Sequence, residues 1–268
     1  MLDKTYESAD AAVADIPESA SIAVGGFGLS GNPNVLIQAL LETGVGDLKV
    51  VSNNCGTDDH GLGLLLRSGR ISKMTSSYVG ENKEFARRYL SGELELELTP
   101  QGTLAEKLRA GGAGIAAFYT RTGVGTQVAD GGLPQRYGPD GAIVQASEPK
   151  DQRNFAPGGE PGTFVLEEAI VTDYALVHAA YGDRHGNLVF NKAARQFSPV
   201  AAMAGRICIA QVEHLVEPGE LDPDAIHLPG VFVHRVVEVG PDVEKPIEKL
   251  TVQSAGAASN DTPFAKEG

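Results

Sequence analysis

Short apolar runs alternate along this chain with stretches of helical periodicity, and glycines punctuate the changes. Residues 21–24 read as a buried strand, followed by Gly25-Gly26-Phe27-Gly28-Leu29-Ser30-Gly31. Asn32-Pro33 then predicts a helix start, with Asn32 as N-cap and Pro33 at the first helical position. Val35, Leu36, Ala39 and Leu40 give that helix an apolar face, and Gly44 is its stop. Residues 48–52 form a second strand opening into Asn53-Asn54. The strand–loop–helix–strand unit recurs, with 62–67 helical, 71–78 extended and 82–90 helical. Over 93–99, Leu94, Leu96 and Leu98 alternate with Glu93, Glu95 and Glu97, which predicts a strand with one wet face near a sheet edge. Thr103 and Glu106 have the spacing of a capping box that starts a helix through Arg109.

Residues 131–163 are rich in Gly and Pro and weak in periodicity, and read as an irregular excursion with at most one short hairpin. Strand patterns return at 164–171, 175–180, 188–190, 207–212 and 231–236, and residues 253–268 read as a loose tail. The expectation is a single domain over 1–252 of the α/β class, an open, mostly parallel twisted sheet flanked by helices. In such sheets ligands sit beyond the carboxyl ends of the strands, where the glycine loop, Asn53-Asn54 and Gln101 all fall.

Composition narrows the function. The chain has 268 residues, 42% hydrophobic and 21% charged, the profile of a globular domain. Its 35 acidic against 22 basic residues, net −13, repel a phosphate backbone and argue against nucleic acid. No apolar run suits a membrane helix and no secretory pattern opens the chain, so the cytoplasm is the expected compartment. The two cysteines, Cys55 and Cys208, fit neither a disulfide scaffold nor a zinc site, and no metal is expected.

Gly26-x-Gly28-x-x-Gly31 matches a dinucleotide fingerprint between strand and helix, so an NAD(P) oxidoreductase is one reading. Against it, Asn53 stands where the ribose-binding acid belongs, and Pro33 removes an N–H from the helix start. Four glycines in seven residues nonetheless exceed what a bare turn requires, and suit close backbone approach to an anion. Gln101, between Pro100 and Gly102, can offer an amide donor to a developing oxyanion. No nucleophile–base set can be assembled. Cys55 has no basic residue near it in sequence, and Ser30 misses a nucleophile elbow because Asn32 replaces the last glycine.

With these residues in view, the chain resembles the A subunit of family I coenzyme A transferases, most closely the succinyl-CoA:3-ketoacid type. The likeness rests on 21–33 (SIAVGGFGLSGNP), 50–54 (VVSNN), 77–82 (SYVGEN), 97–106 (ELTPQGTLAE), 111–120 and 164–170. It implies a ping-pong reaction in which a glutamate is acylated by the CoA ester, takes up CoA as a glutamyl-CoA thioester, and passes it to a second carboxylate. The resemblance makes Gln101 an oxyanion-hole donor and makes Gly25, Gly26, Phe27, Gly28, Leu29, Ser30, Gly31, Asn53 and Asn54 the CoA- and substrate-binding residues. It places the glutamate in a Ser-Glu-Asn-Gly motif on a B subunit, within an A2B2 heterotetramer. Glu81, in Gly80-Glu81-Asn82-Lys83, lacks that motif's flanks and is not assigned as nucleophile. No cofactor is expected to be bound permanently; the CoA thioester is a substrate. The acceptor is expected to be a 3-oxo acid, with acetoacetate favoured and 3-oxoadipate the alternative. A regulatory sensor of CoA metabolites remains a non-enzymatic reading. Ser30 stands where many relatives carry cysteine, and Asn32-Pro33-Asn34 replaces a more usual apolar-Pro-Glu.

Overall fold

The computed structural model describes residues 3–246. The first half of the chain lays down α1 (Ala9–Val13), β1 (Ser21–Val24), α2 (Asn34–Thr43), β2 (Leu48–Val51), α3 (Gly63–Arg67), β3 (Ile71–Ser76), α4 (Lys83–Leu90), β4 (Glu95–Leu98) and α5 (Gln101–Gly112). There follow β5 (Ala117–Thr120), α6 (Gln127–Asp130), β6 (Pro134–Tyr137), β7 (Ile143–Ala146), β8 (Gln152–Phe155) and β9 (Gly162–Glu168). The chain then returns to the main sheet with β10 (Thr172–Asp183), β11 (Leu188–Val189), α7 (Ser198–Ala204), β12 (Gly205–Val216) and β13 (Arg235–Glu238).

The main sheet is open, in the order β13-β12-β10-β1-β2-β3-β4, and every pairing along that path is parallel. β11 joins it antiparallel, beside β10. β1 therefore sits where the strand order reverses: the chain winds outward through β2, β3 and β4, then returns to β10 on β1's other side. Both faces are covered. Ile22 and Val24 of β1 lie in a core with α1, α2, α3 and α4, whereas Ala23 points into a second core with α5 and α7. This is the three-layer arrangement that parallel strands with apolar residues on both faces require.

Several local expectations are corrected. Helix α2 starts at Asn34 because Asn32-Pro33-Asn34 closes a tight turn, Asn34 N–H donating to Asn32 O at 2.9 Å. Pro33, at φ −80 and ψ 66, has inverse γ-turn geometry. Asn32 is thus not the N-cap; its side chain is turned back onto the glycine loop. The Thr103–Glu106 capping box does not form, because α5 already begins at Gln101. Thr103 Oγ1 is buried without a partner, and Glu106 pairs with Arg109. Residues 231–236 are a 3-10 turn followed by the first half of β13.

The excursion over 131–163 is ordered rather than irregular. It holds the β6–β7 hairpin and β8, and β8 joins β9 and β5 in a three-stranded antiparallel sheet. Its weak periodicity follows from exposure on both faces, since β8 has no buried residue. The proposed tail, 253–268, lies outside the described residues.

A chain of alternating charges fastens this small sheet to α5 and the β4 edge. Lys150 Nζ lies 2.6 Å from Glu167 Oε1, and Lys107 Nζ lies 3.5 Å from Glu167 Oε2 and 3.6 Å from Glu97 Oε1. Lys73 closes it, 3.3 Å from Glu97 Oε2 and 2.9 Å from Glu95 Oε1. The glutamate stripe of β4 is therefore a set of lysine partners, not a bare solvated face, while Leu98 lies exposed at the strand's end. Burial opposes the Glu97 charge, but Lys107 and Lys73 outweigh it and hold its carboxyl below the usual range. Glu167 is 1% exposed. Replacing Glu167 with Ala strands buried Lys107 without its partner, and we expect a loss of about 3–5 kcal/mol in urea unfolding. A loss below about 1 kcal/mol would show that the network is not coupled to the fold.

Candidate functional site

The glycine loop leaves β1 at the reversal point of the sheet, where crevices form beyond the strand ends. Gly25 N–H extends the ladder to Leu176 O at 3.0 Å. The chain then turns back on itself, Phe27 and Ser30 exchanging both N–H···O bonds at 3.0 Å. This turn needs Gly26 at φ 119, Gly28 at φ 59 and Gly31 at φ 74, a region that L-residues rarely adopt. Space is as demanding as torsion. A Cβ on Gly25 would lie 2.6 Å from Ser198 Oγ, one on Gly31 3.0 Å from Ala194 Cβ, and one on Gly26 would collide with Asn32 Oδ1.

Amide side chains hold the loop. Asn54 Oδ1 accepts the Gly28 N–H at 3.1 Å, Asn32 Nδ2 donates to Gly28 O at 3.2 Å, and Gln196 Nε2 donates to Ser30 O at 2.9 Å. Below it, Ser52 Oγ donates to Val24 O at 2.8 Å, joining the ends of β1 and β2. Phe27 is 42% exposed at the turn, whereas Leu29 is buried and anchors it from inside.

Asn53 faces the other way. Its Oδ1 accepts from Gln101 Nε2 at 2.8 Å and from Ser77 Oγ at 2.9 Å, and its Nδ2 is buried with no partner. Gln101 itself is exposed, the first residue of α5, with Pro100 preceding it and no side-chain cap. The second Gln101 amide hydrogen is left over from the Asn53 bond. The three segments singled out from the sequence thus meet: Asn53-Asn54 touches the glycine loop with one residue and Gln101 with the other.

Other candidates are removed by their surroundings. Cys55 is fully buried, which pushes its thiol far above the usual range and leaves no thiolate to react. Burial likewise pushes Cys208 up to about 12. Glu81 is exposed, and the neighbouring Asn82 is the N-cap of α4, its Oδ1 accepting the Phe85 N–H at 2.8 Å. No group of His, Cys, Asp and Glu among the described residues is arranged to hold a metal ion, and no helix there is long and apolar enough to cross a membrane.

Sequence reading missed Asn32 as a loop-holder, along with Ser52, Ser77, Gln196, Ser198 and Gln211. The last of these, on β12, accepts the Val35 and Leu36 N–H groups with Oε1 at 3.1 Å and so supplies the cap that α2 lacks locally. No spacing signals such a contact, because Gln211 and α2 are about 175 residues apart. For the loop itself, we expect Gly26→Ala to cost about 1–3 kcal/mol in urea unfolding, from its positive φ and the Asn32 collision. Gly102→Ala, in open space on α5, should leave stability within about 1 kcal/mol or raise it. Equal effects at both positions would contradict the packing described.

The comparisons with known proteins agree with this geometry. The A subunit of a probable succinyl-CoA:3-ketoacid coenzyme A transferase of Mycobacterium bovis is 62% identical over 252 residues, 94% of this chain and 100% of the relative. The Bacillus subtilis protein of the same description is 52% identical, covering 95% of this chain and 97% of its own length. Rat mitochondrial succinyl-CoA:3-ketoacid coenzyme A transferase 2A is 47% identical, but there the match spans 95% of this chain and 48% of the relative. Among solved structures, the fold resembles an acyl-CoA transferase apoenzyme of Escherichia coli O157:H7, with a TM-score of 0.72 and 24% identity over 88% of this chain and 47% of the other. It also resembles glutaconate coenzyme A-transferase of Acidaminococcus fermentans, with a TM-score of 0.71 and 18% identity over 88% and 76%. The chain spans about half the length of the rat and E. coli proteins. Residues 6–239 match the family model described as Coenzyme A transferase, and this chain belongs to that family.

Proposed function

We propose that this chain is the A half of a 3-oxoacid CoA-transferase that moves CoA between succinyl-CoA and a 3-oxo acid, acetoacetate being favoured. The observation that carries this reading is the Asn53-Asn54 bridge, which joins an exposed side-chain amide, Gln101, to a glycine loop shaped for close backbone approach. The bacterial relatives are described as one of two kinds of subunit, which supports a two-chain enzyme. No nucleophile–base pair is found among this chain's site residues.

In the proposed cycle a B-subunit glutamate attacks the thioester carbonyl, forming an acyl-glutamyl anhydride and expelling CoA thiolate. The thiolate attacks the glutamyl carbonyl, releasing the first carboxylate and leaving a glutamyl-CoA thioester. The second carboxylate attacks that thioester and the same two steps run in reverse order, so atoms and charge balance without a cofactor. Each tetrahedral intermediate carries an oxyanion. Gln101 is assigned as one donor to it, its ground-state position set by Asn53. The residues Gly25 to Gly31 and Asn53-Asn54 are assigned to the CoA ester, with the loop's backbone N–H groups facing the ligand. The assembly is proposed as A2B2 and the compartment as cytoplasmic, consistent with two reduced, buried thiols.

Purified alone, this chain should give no transferase turnover, and adding the B subunit should restore it; strong activity without a partner would overturn the two-chain reading. In the complex, Gln101→Ala should lower kcat about 10²–10³-fold with a smaller change in KM. A change confined to KM would make Gln101 a ground-state binder only. Assays with 3-oxoadipate in place of acetoacetate decide the acceptor, and tight NADH binding would favour the oxidoreductase reading instead.

A further inference from the structure

The junction between the glycine loop and α2 is gripped from below by two polar side chains of the central sheet. His178 on β10 and Gln211 on β12 are register partners on adjacent strands. Gln211 caps α2, as described above. His178, 7% exposed, places Nδ1 3.3 Å from the Asn32 carbonyl and Nε2 3.1 Å from Glu213 Oε1. Glu213 Oε2 is in turn held by Lys245 Nζ at 2.7 Å. A histidine buried beneath a substrate loop is otherwise hard to account for, since replacing it with an apolar side chain would avoid the burial of an imidazole.

Asn32 is the residue through which this grip reaches the loop. Its backbone carbonyl takes the His178 and Asn34 donors, while its side chain donates to Gly28 O and occupies the space that a Cβ on Gly26 would need. A rotation of the Asn32 peptide would therefore carry the Gly26–Gly28 turn with it. We propose that His178 is a positioning residue for the acyl-CoA-binding loop, holding the Asn32 carbonyl through Nδ1–H so that the loop keeps its ligand-ready shape.

The ring faces two acceptors, Asn32 O and Glu213, and can donate to both only as imidazolium. Burial works against that charge and lowers its proton affinity, opposed by Glu213 and the Asn32 carbonyl and assisted by Lys245. The neutral ring serves one acceptor at a time. Two near-isosteric replacements separate the two halves of the contact: an asparagine places its amide nitrogen where Nδ1 stands, and a glutamine places it where Nε2 stands.

The test uses the full complex with the B subunit, and its kinetic arm rests on the function proposed above. His178→Gln should raise KM for the acyl-CoA ester roughly fivefold, the loss of one buried hydrogen bond, with kcat little changed. His178→Asn should recover most of that loss. In parallel, hydrogen exchange should quicken over residues 25–34 in the glutamine variant and not in the asparagine variant, with the β10 and β12 strand amides as the reference. The proposal is overturned if the glutamine variant matches wild type in loop exchange, or if the asparagine variant is as loosened as the glutamine one. Should the wild-type complex lack transferase activity, the functional reading fails while the exchange arm still decides the role of His178.

Discussion

A loop that leaves a sheet to approach a ligand has no ladder to satisfy its backbone, and buried N–H and C=O groups cannot be left unpaired. This constraint governs the site. Between Val24 and Val35 the chain makes one strand bond and one tight turn; side chains supply much of the rest, from Ser52, Asn54, Gln196, Gln211 and His178, each rooted elsewhere in the fold. Amides suit the task because one group both donates and accepts without carrying charge. A charged holder at the same depth would need a counter-ion in a place reserved for substrate. The same chemistry continues outward, since Asn53 spends its oxygen on Gln101 and Ser77 and ties the exposed amide to the loop.

The rigidity of that arrangement depends on elements away from the strand ends. Gln101 is the first residue of α5, so its position is that of the helix. The helix is fixed on one side by Leu104 and Leu108 in the core and on another by Lys107 among Glu97 and Glu167. The chain is acidic overall, yet here it buries lysine between glutamates to couple the small antiparallel sheet to the helix that carries the exposed amide. The small sheet is mostly exposed, with Phe155 between Tyr119 and Phe164 on its surface. Its deeply buried Glu167 is the point at which it grips the main body.

Sequence by itself determined the class and the site's location. The alternation of apolar strands with 3.6-period helices specifies a parallel sheet covered on both faces, because each strand must bury two sides. Glycines at 26, 28 and 31 specify a turn needing positive φ, and strand ends at 24, 51 and 98 place the loop, Asn53-Asn54 and Gln101 on one edge. These are local signals, carried by residues close together in the chain. Tertiary structure alone decided which groups hold the loop and where α2 and α5 begin. Asn32 looks like a cap by its neighbours, but the sheet offers Gln211 in that role and frees Asn32 to fill the space beside Gly26. Thr103 and Glu106 have the right spacing for a box, but Pro100 lets α5 start two residues earlier. The 131–163 segment lacks a hydrophobic period because its strands bury little, and their order comes from pairing with β5 and β9, which no local pattern encodes. Contacts between residues more than a hundred positions apart leave no periodicity in a single sequence, so the residues that shape this site become visible only when the chain is folded.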